Sequence, residues 1–193
     1  LRHCQGAPLP APPSMDDVRQ MLQFSAGAEV PERYLPYILD ELKLDGVDPR
    51  QPRWGEALKP AAAAMKVVVI GAGMSGLLAG IRLAQAGIAF EIVEKHADVG
   101  GVWLENTYPG CRVDSANHLY NYSFVHGHEW PNWFSRQPVL LKYFQEIADR
   151  FELRPHIRFE TEVVSAVFDE ARARWNVRVR DKSGAERVIE ATA

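Results

Sequence analysis

Six residues, Gly71-Ala72-Gly73-Met74-Ser75-Gly76, constrain this chain most. They match G-x-G-x-x-G and follow directly on the β-branched run at 67–70, which predicts a parallel strand buried on both faces. An apolar stretch over 75–86 reads as a helix, Gly87 suits its left-handed end, and residues 90–94 return as a second strand. Strand, helix and strand within about 30 residues make a βαβ unit. In such a unit Gly71 permits the tight turn, Gly73 lets a pyrophosphate reach the backbone, and Gly76 lets the helix pack close. The helix N-terminus then offers N–H groups and the positive end of its dipole to phosphates. The motif is weak alone, but here it has its full strand-to-helix context.

Glu94 ends the second strand, 18 residues after Gly76. A carboxylate there accepts hydrogen bonds from ribose hydroxyls and repels a 2′-phosphate, so the site favours FAD or NAD over NADP. A solvated charge at a strand end is the plainer reading, and the preceding motif argues against it.

Composition excludes several classes. A net charge of −3 and a pI near 6.1 provide no basic face for nucleic acid or an anionic membrane. The uncharged run 67–81 is broken by glycines and falls short of the about 18 residues a membrane span needs. Cys4 and Cys111 stand far apart, so neither a disulfide framework nor a zinc cluster is expected, and a reducing cytoplasm is the default compartment. His126-Gly127-His128-Glu129 has no further ligand cluster beside it and reads as a solvated loop; no metal site is expected.

At 193 residues the chain can build one full core and a small appendage. Residues 1–14, with four prolines, read as a disordered tail. Residues 15–45 read as a helical extension: Ser14 before Asp16 and Asp17 starts one helix, and Tyr34, Leu35, Ile38, Leu39 and Leu42 make a second, closed by Gly46. Two such helices bury too little to fold alone and are expected to dock on the main domain or to pair two copies as a homodimer. Residues 46–64 read as a linker, with Trp54 as a docking anchor. Nine of the 13 prolines lie in the first 60 residues, which places a boundary near residue 62. Residues 65–193 form the nucleotide domain: after a Gly-, Trp- and Tyr-rich loop a helix starts at Pro138, with Leu141, Phe144, Ile147, Ala148 and Phe151 on one face. Period-two strands at 163–168, 175–179 and 187–190 predict an antiparallel meander. Trp130, Trp133 and Phe134 are expected in the core, and Cys111 as a small packing residue beside Arg112.

A second glycine-rich stretch, Gly100-Gly101-Val102-Trp103 followed by Tyr108-Pro109-Gly110 and Asp114, satisfies every fixed position of (A/G)-G-x-W-x(4)-(F/Y)-P-(G/M)-x(3)-D. Here the sequence resembles the class B flavoprotein monooxygenases, and within them the type I Baeyer–Villiger monooxygenases. The resemblance runs from about residue 66 to 193, and more loosely the extension is similar to that of acetophenone-type members. It implies an α/β fold: a Rossmann-like FAD-binding βαβ domain with an antiparallel meander, preceded by a small helical extension and truncated at its C-terminus.

By that resemblance Gly71, Gly73, Met74, Ser75 and Gly76 hold the FAD pyrophosphate, and Glu94 with Lys95 the adenosine ribose. Gly101, Val102 and Trp103 line the ribityl chain and flavin, Tyr120 lies close to the isoalloxazine, and the Val163 backbone meets the adenine. Asp114 matches the active-site carboxylate, and Arg112 and Val113 fall where the nicotinamide end comes close. In the family NADPH reduces FAD, O2 adds at flavin C4a, and the peroxide converts a ketone into an ester or lactone. The family's second G-x-G-x-x-G and its F-x-G-x(3)-H-x(3)-W motif do not occur here, so the chain reads as an N-terminal fragment, inactive alone. Two alternatives stay open: an N- or S-oxidising flavin monooxygenase, or a module that only binds a dinucleotide.

Overall fold

A computed structural model of the protein describes residues 13–42, 48, 50–125 and 128–193. The expected tail up to residue 12, Gly46 and His126 lie outside the described residues. By its contacts the chain divides into one unit of Leu1–Arg50 with Asn121–Glu129 and a second of Gln51–Tyr120 with Trp130–Ala193, rather than at the composition break near residue 62.

In the first unit, α1 (Met15–Ala26) is started by a capping box. The Ser14 hydroxyl oxygen accepts from the Asp17 N–H at 3.2 Å, and the Asp17 carboxylate accepts from the Ser14 N–H at 3.0 Å. These bonds satisfy donors that a helix start leaves unpaired. Gly27, at φ 64°, ends the helix. A single 3₁₀ turn, Glu32–Tyr34, leads into α2 (Leu35–Leu42), and Arg19 of α1 pairs with both Asp16 and Glu32. Val18 and Leu35 are buried, as are Tyr122 and Val125 of the returning segment.

The second unit holds the nucleotide fold. The stretch expected as a linker contains a short helix, α3 (Lys59–Ala63), because its alanines are strong helix formers and Pro60 is tolerated in a first turn. Ala62 packs with Ala86 and Ile88, and the Trp54 indole N–H donates to the Ala86 carbonyl at 2.9 Å. Trp54 is therefore anchored while its ring stays half-exposed.

β1 (Lys66–Ile70), α4 (Met74–Ala86) and β2 (Ala89–Val93) form the predicted βαβ unit, with Lys66 opposite Ala89 and Ile70 opposite Val93 in a parallel ladder. β3 (Ile157–Arg158), absent from the expectation, adds to the far side of β2. β1 differs from its expectation of burial on both faces: Lys66 and Ile70 are exposed and the residues between are half-buried. The sheet order β1-β2-β3 explains this, since β2 is central and carries the buried Ile92 and Val93. The outer side of β1 is met by Thr192 and Ala193, with the Val68 N–H donating to the Ala193 carbonyl at 2.9 Å.

Between β2 and β3 lie α5 (Val102–Glu105), in the stretch expected to be loop, and α6 (Gln137–Arg150). The buried stripe of α6 is Leu140, Tyr143, Phe144, Ile147 and Ala148. It is rotated from the expected stripe, and Leu141 and Phe151 are only partly covered. β4 (Thr161–Asp169), β5 (Arg174–Asp181) and β6 (Glu186–Ala191) make the predicted meander. One face, with Val177, Val179 and Ile189, packs with Val93 of β2 and half-buried Val68 of β1, joining the two sheets through one apolar cluster.

Candidate cofactor site

The cleft at the carboxyl ends of β1 and β2 is built by two glycine loops in backbone contact. Gly71 stands at φ 92°, a conformation that L side chains rarely adopt, and its N–H continues the ladder to the Val93 carbonyl at 2.8 Å. Gly73 caps α4, and Met74, Ser75 and Gly76 form its first turn. A Cβ on Gly76 would lie 1.9 Å from the Gly71 carbonyl oxygen, so this glycine is required by the turn itself more than by the strand, whose Val69 is 3.6 Å away. The second loop closes on the first: the Gly100 N–H donates to the Ala72 carbonyl at 3.1 Å, and a Cβ on Gly101 would sit 2.9 Å from the Gly73 Cα.

Glu94 is buried, and its carboxylate accepts from the Ala72 N–H at 2.7 Å and the His96 N–H at 2.8 Å. It latches the glycine turn to the end of β2, and its oxygens keep further acceptor capacity for hydroxyl donors. Beside it, Glu105 at the end of α5 holds the Lys95 ammonium at 2.8 Å and the His96 ring at 2.6 Å on one carboxylate oxygen. The hydrogen bond to Lys95, then that to His96, pulls the Glu105 carboxyl below its usual range, and the same contact raises Lys95.

A cleft of about 380 Å³ is lined by Gly71, Gly73, Glu94, Lys95, Gly101, Val102 and Val163 from the sequence-derived set. The register of β4 against β5 shifts between Val163 and Ser165, beside the cleft-lining Val163. His96, Glu105, Thr161 and Glu162 line it too and were not anticipated. Glu105 occupies a variable position of the motif, and only its spatial approach to Lys95 and His96 distinguishes it. The first turn of α4, with Met74, Ser75 and Gly76, starts one residue beyond the lining Gly73.

The remaining candidates gather on a clamped loop outside that lining. The Trp103 indole is buried and donates to the Tyr120 hydroxyl at 3.1 Å, the rings meeting edge to face at 5.8 Å. The Gln137 side-chain amide donates to the Trp103 carbonyl. Tyr108-Pro109-Gly110-Cys111 closes as a turn, with the Cys111 N–H on the Tyr108 carbonyl at 3.1 Å and Gly110 at φ 83°, as Pro-Gly in a type II turn requires. Cys111 is buried and free, in keeping with a packing role.

Arg112 bridges to Arg136, and the Val113 N–H donates to the Ser135 carbonyl at 3.1 Å. Asn117, fully buried, donates to Ser135 Oγ at 2.5 Å and the Asn132 carbonyl at 2.8 Å, while its carbonyl accepts the Ser135 N–H at 3.1 Å. Asp114, between these anchors, is exposed and accepts from the Ser115 hydroxyl at 3.2 Å. The expectation that Trp133 and Phe134 are core does not hold: both are exposed, because their loop uses its backbone to hold Asn117 and turns these rings outward. Trp130 does pack, on Tyr143 at 5.0 Å.

Among the described residues no group of three or more His, Cys, Asp or Glu could hold a metal, and no helix is long and apolar enough to cross a membrane. The glycine cradle, the ribose-competent carboxylate and the cleft between them fit the adenosine and pyrophosphate part of a dinucleotide.

Residues 69–147 match the NAD(P)-binding Rossmann-like domain. The chain is 43% identical to a Baeyer–Villiger monooxygenase of Streptomyces coelicolor over 130 residues, covering 66% of this chain and 25% of that protein. It is 35% identical to an uncharacterized monooxygenase of Sinorhizobium fredii over 179 residues, 91% of this chain and 26% of the other. The solved structure of OTEMO in complex with FAD and NADP superposes with a TM-score of 0.61 at 35% identity, covering 66% of this chain and 24% of that one. The chain thus spans about a quarter of the length of the relatives it matches. Over that quarter its sequence is similar to proteins named Baeyer–Villiger monooxygenase and FAD-binding monooxygenase.

Proposed function

We propose that this chain is the FAD-holding part of an NADPH-dependent flavin monooxygenase that inserts one oxygen atom of O2 into ketones, giving esters or lactones. The observation that carries the reading is the backbone contact of Gly73 with Gly101, which joins the phosphate turn to the start of the Gly100–Asp114 motif at one cleft. Gly71, Gly73 and the first turn of α4 receive the pyrophosphate, and Glu94 accepts from the ribose. Val102, Trp103 and Tyr120 serve the flavin end, and Val163 the adenine. Bound FAD supplies the redox chemistry and the activation of O2. The protein's part is to hold and orient it, and to set the Asp114 carboxylate at a fixed place on the clamped loop.

The free, buried Cys111 supports a reducing, cytoplasmic setting. Exposed Met21, Phe24 and Tyr37 on the helical extension support pairing of two copies there. The enzyme that carries this chain, purified with FAD and given NADPH, O2 and a ketone panel, tests the proposal. Ester or lactone formed in step with NADPH consumption supports it; oxidation confined to amines and sulfides, or no turnover, overturns it.

A further inference from the structure

The cleft holds an acidic contact that the glycine motifs do not call for. Its lining includes three carboxylates, Glu94, Glu105 and Glu162, against the single lysine Lys95. Lys95 follows the ribose-binding Glu94 directly, and an unengaged ammonium there would attract a phosphate on the ribose 2′ oxygen. It is instead engaged: Glu105 reaches back from α5 and binds Lys95 Nζ at 2.8 Å and His96 Nε2 at 2.6 Å through the same oxygen. Glu105 is the strongest influence on Lys95, with Glu94 and Glu162 adding to it. Lys95 and His96 are thereby both turned to one carboxylate at the end of α5.

We propose that Glu105 is a specificity-determining residue of the cleft: by holding Lys95 it excludes adenine nucleotides that carry a 2′-phosphate and so reserves the site for FAD against NADP. This rests on reading the cleft as an adenine-dinucleotide site. The chemistry is a competition for one ammonium. A 2′-phosphate carries about −1.5 to −2 at neutral pH, and to gain Lys95 it must displace Glu105 and then lie among three carboxylates. A 2′-hydroxyl has no such need and donates to Glu94. Glu94 thus selects for the hydroxyl, and Glu105 withholds the cation that would reward the phosphate.

The test titrates the purified chain with ADP and with its 2′-phosphorylated counterpart. The wild type prefers ADP. Glu105→Gln lowers that preference by about two- to fivefold, the range for an exposed ion pair, while still binding ADP. Adding Lys95→Ala to Glu105→Gln removes that gain and brings the ratio back towards the wild-type value. An unchanged preference in Glu105→Gln, a reduction that survives Lys95→Ala, or loss of ADP binding with Glu105→Gln each overturns the inference. If the wild-type chain takes neither FAD nor ADP, the reading of the cleft itself fails; an unchanged ratio in a chain that binds ADP removes this inference alone.

Discussion

A Cβ placed on Gly101 would lie 2.9 Å from the Cα of Gly73, closer than side-chain carbons approach backbone in folded proteins. Two loops separated by α4 and β2 are therefore pressed together at their glycines, and that contact shapes the cleft. Gly101 also stands at φ 53° and ψ −123°, away from the conformations open to other residues. Gly101→Ala meets both penalties. It is expected to destabilise the protein by about 1–3 kcal/mol, read by urea denaturation, and to weaken FAD binding because the loops must part.

Asn117 fastens the Asp114 loop to residues 132–135 through three hydrogen bonds of a fully buried amide. Asn117→Ala leaves the Ser135 hydroxyl and two backbone groups without their partner, at a cost of about 1–3 kcal/mol. Denaturation midpoints check the cost. Limited proteolysis should cut between Asp114 and Trp133 first in the variant.

Asp98 ties the loop after β2 to α6 and to the chain beyond it, accepting from Gln145 at 2.7 Å and from Arg154 at 2.9 Å. Burial pushes its carboxyl up, but the hydrogen bonds from Arg154, the Val99 N–H and Gln145, with the Arg154 charge, more than offset this and hold it below the usual range. A carboxyl depressed in the folded state adds stability in full above its unfolded value of about 3.9 and loses it as pH falls through the folded value. Asp98→Asn should cost about 1 kcal/mol at neutral pH, given its partial exposure. The difference between variant and wild type should shrink below about pH 4, as urea titrations at both pH values will show.

The bond from the Ala72 N–H to Glu94, 22 residues away, was hidden, but the two glycine motifs and the acid at the strand end were legible because their spacing is written along the chain. Glu105, Asn117 and Ser135 were not, since their partners lie 9 to 18 residues away and only the folded loops bring them together. The alanine run before β1 looked like a linker by composition, yet its helix propensity and its contact with Ile88 decided otherwise. β1 had the composition of a central strand, but burial depends on which strands flank it, and that order is not written in the strand itself.

Asp114 is exposed on a loop whose two sides are anchored, so replacing it removes a charge with little loss of structure. In the enzyme that carries this chain, Asp114→Ala should retain FAD and lose ester formation from ketones by about two orders of magnitude. Visible spectra of the bound flavin and product analysis separate the two effects.

Whether the cleft between Gly73 and Glu94 holds FAD is tested by flavin titration of the wild-type protein beside Gly73→Val. Valine methyls at residue 73 would press on Gly101 and fill the path of the pyrophosphate. A saturable flavin signal is expected in the wild type and none in Gly73→Val. A yellow, flavin-loaded Gly73→Val protein, or a wild type that takes up no FAD, would contradict it.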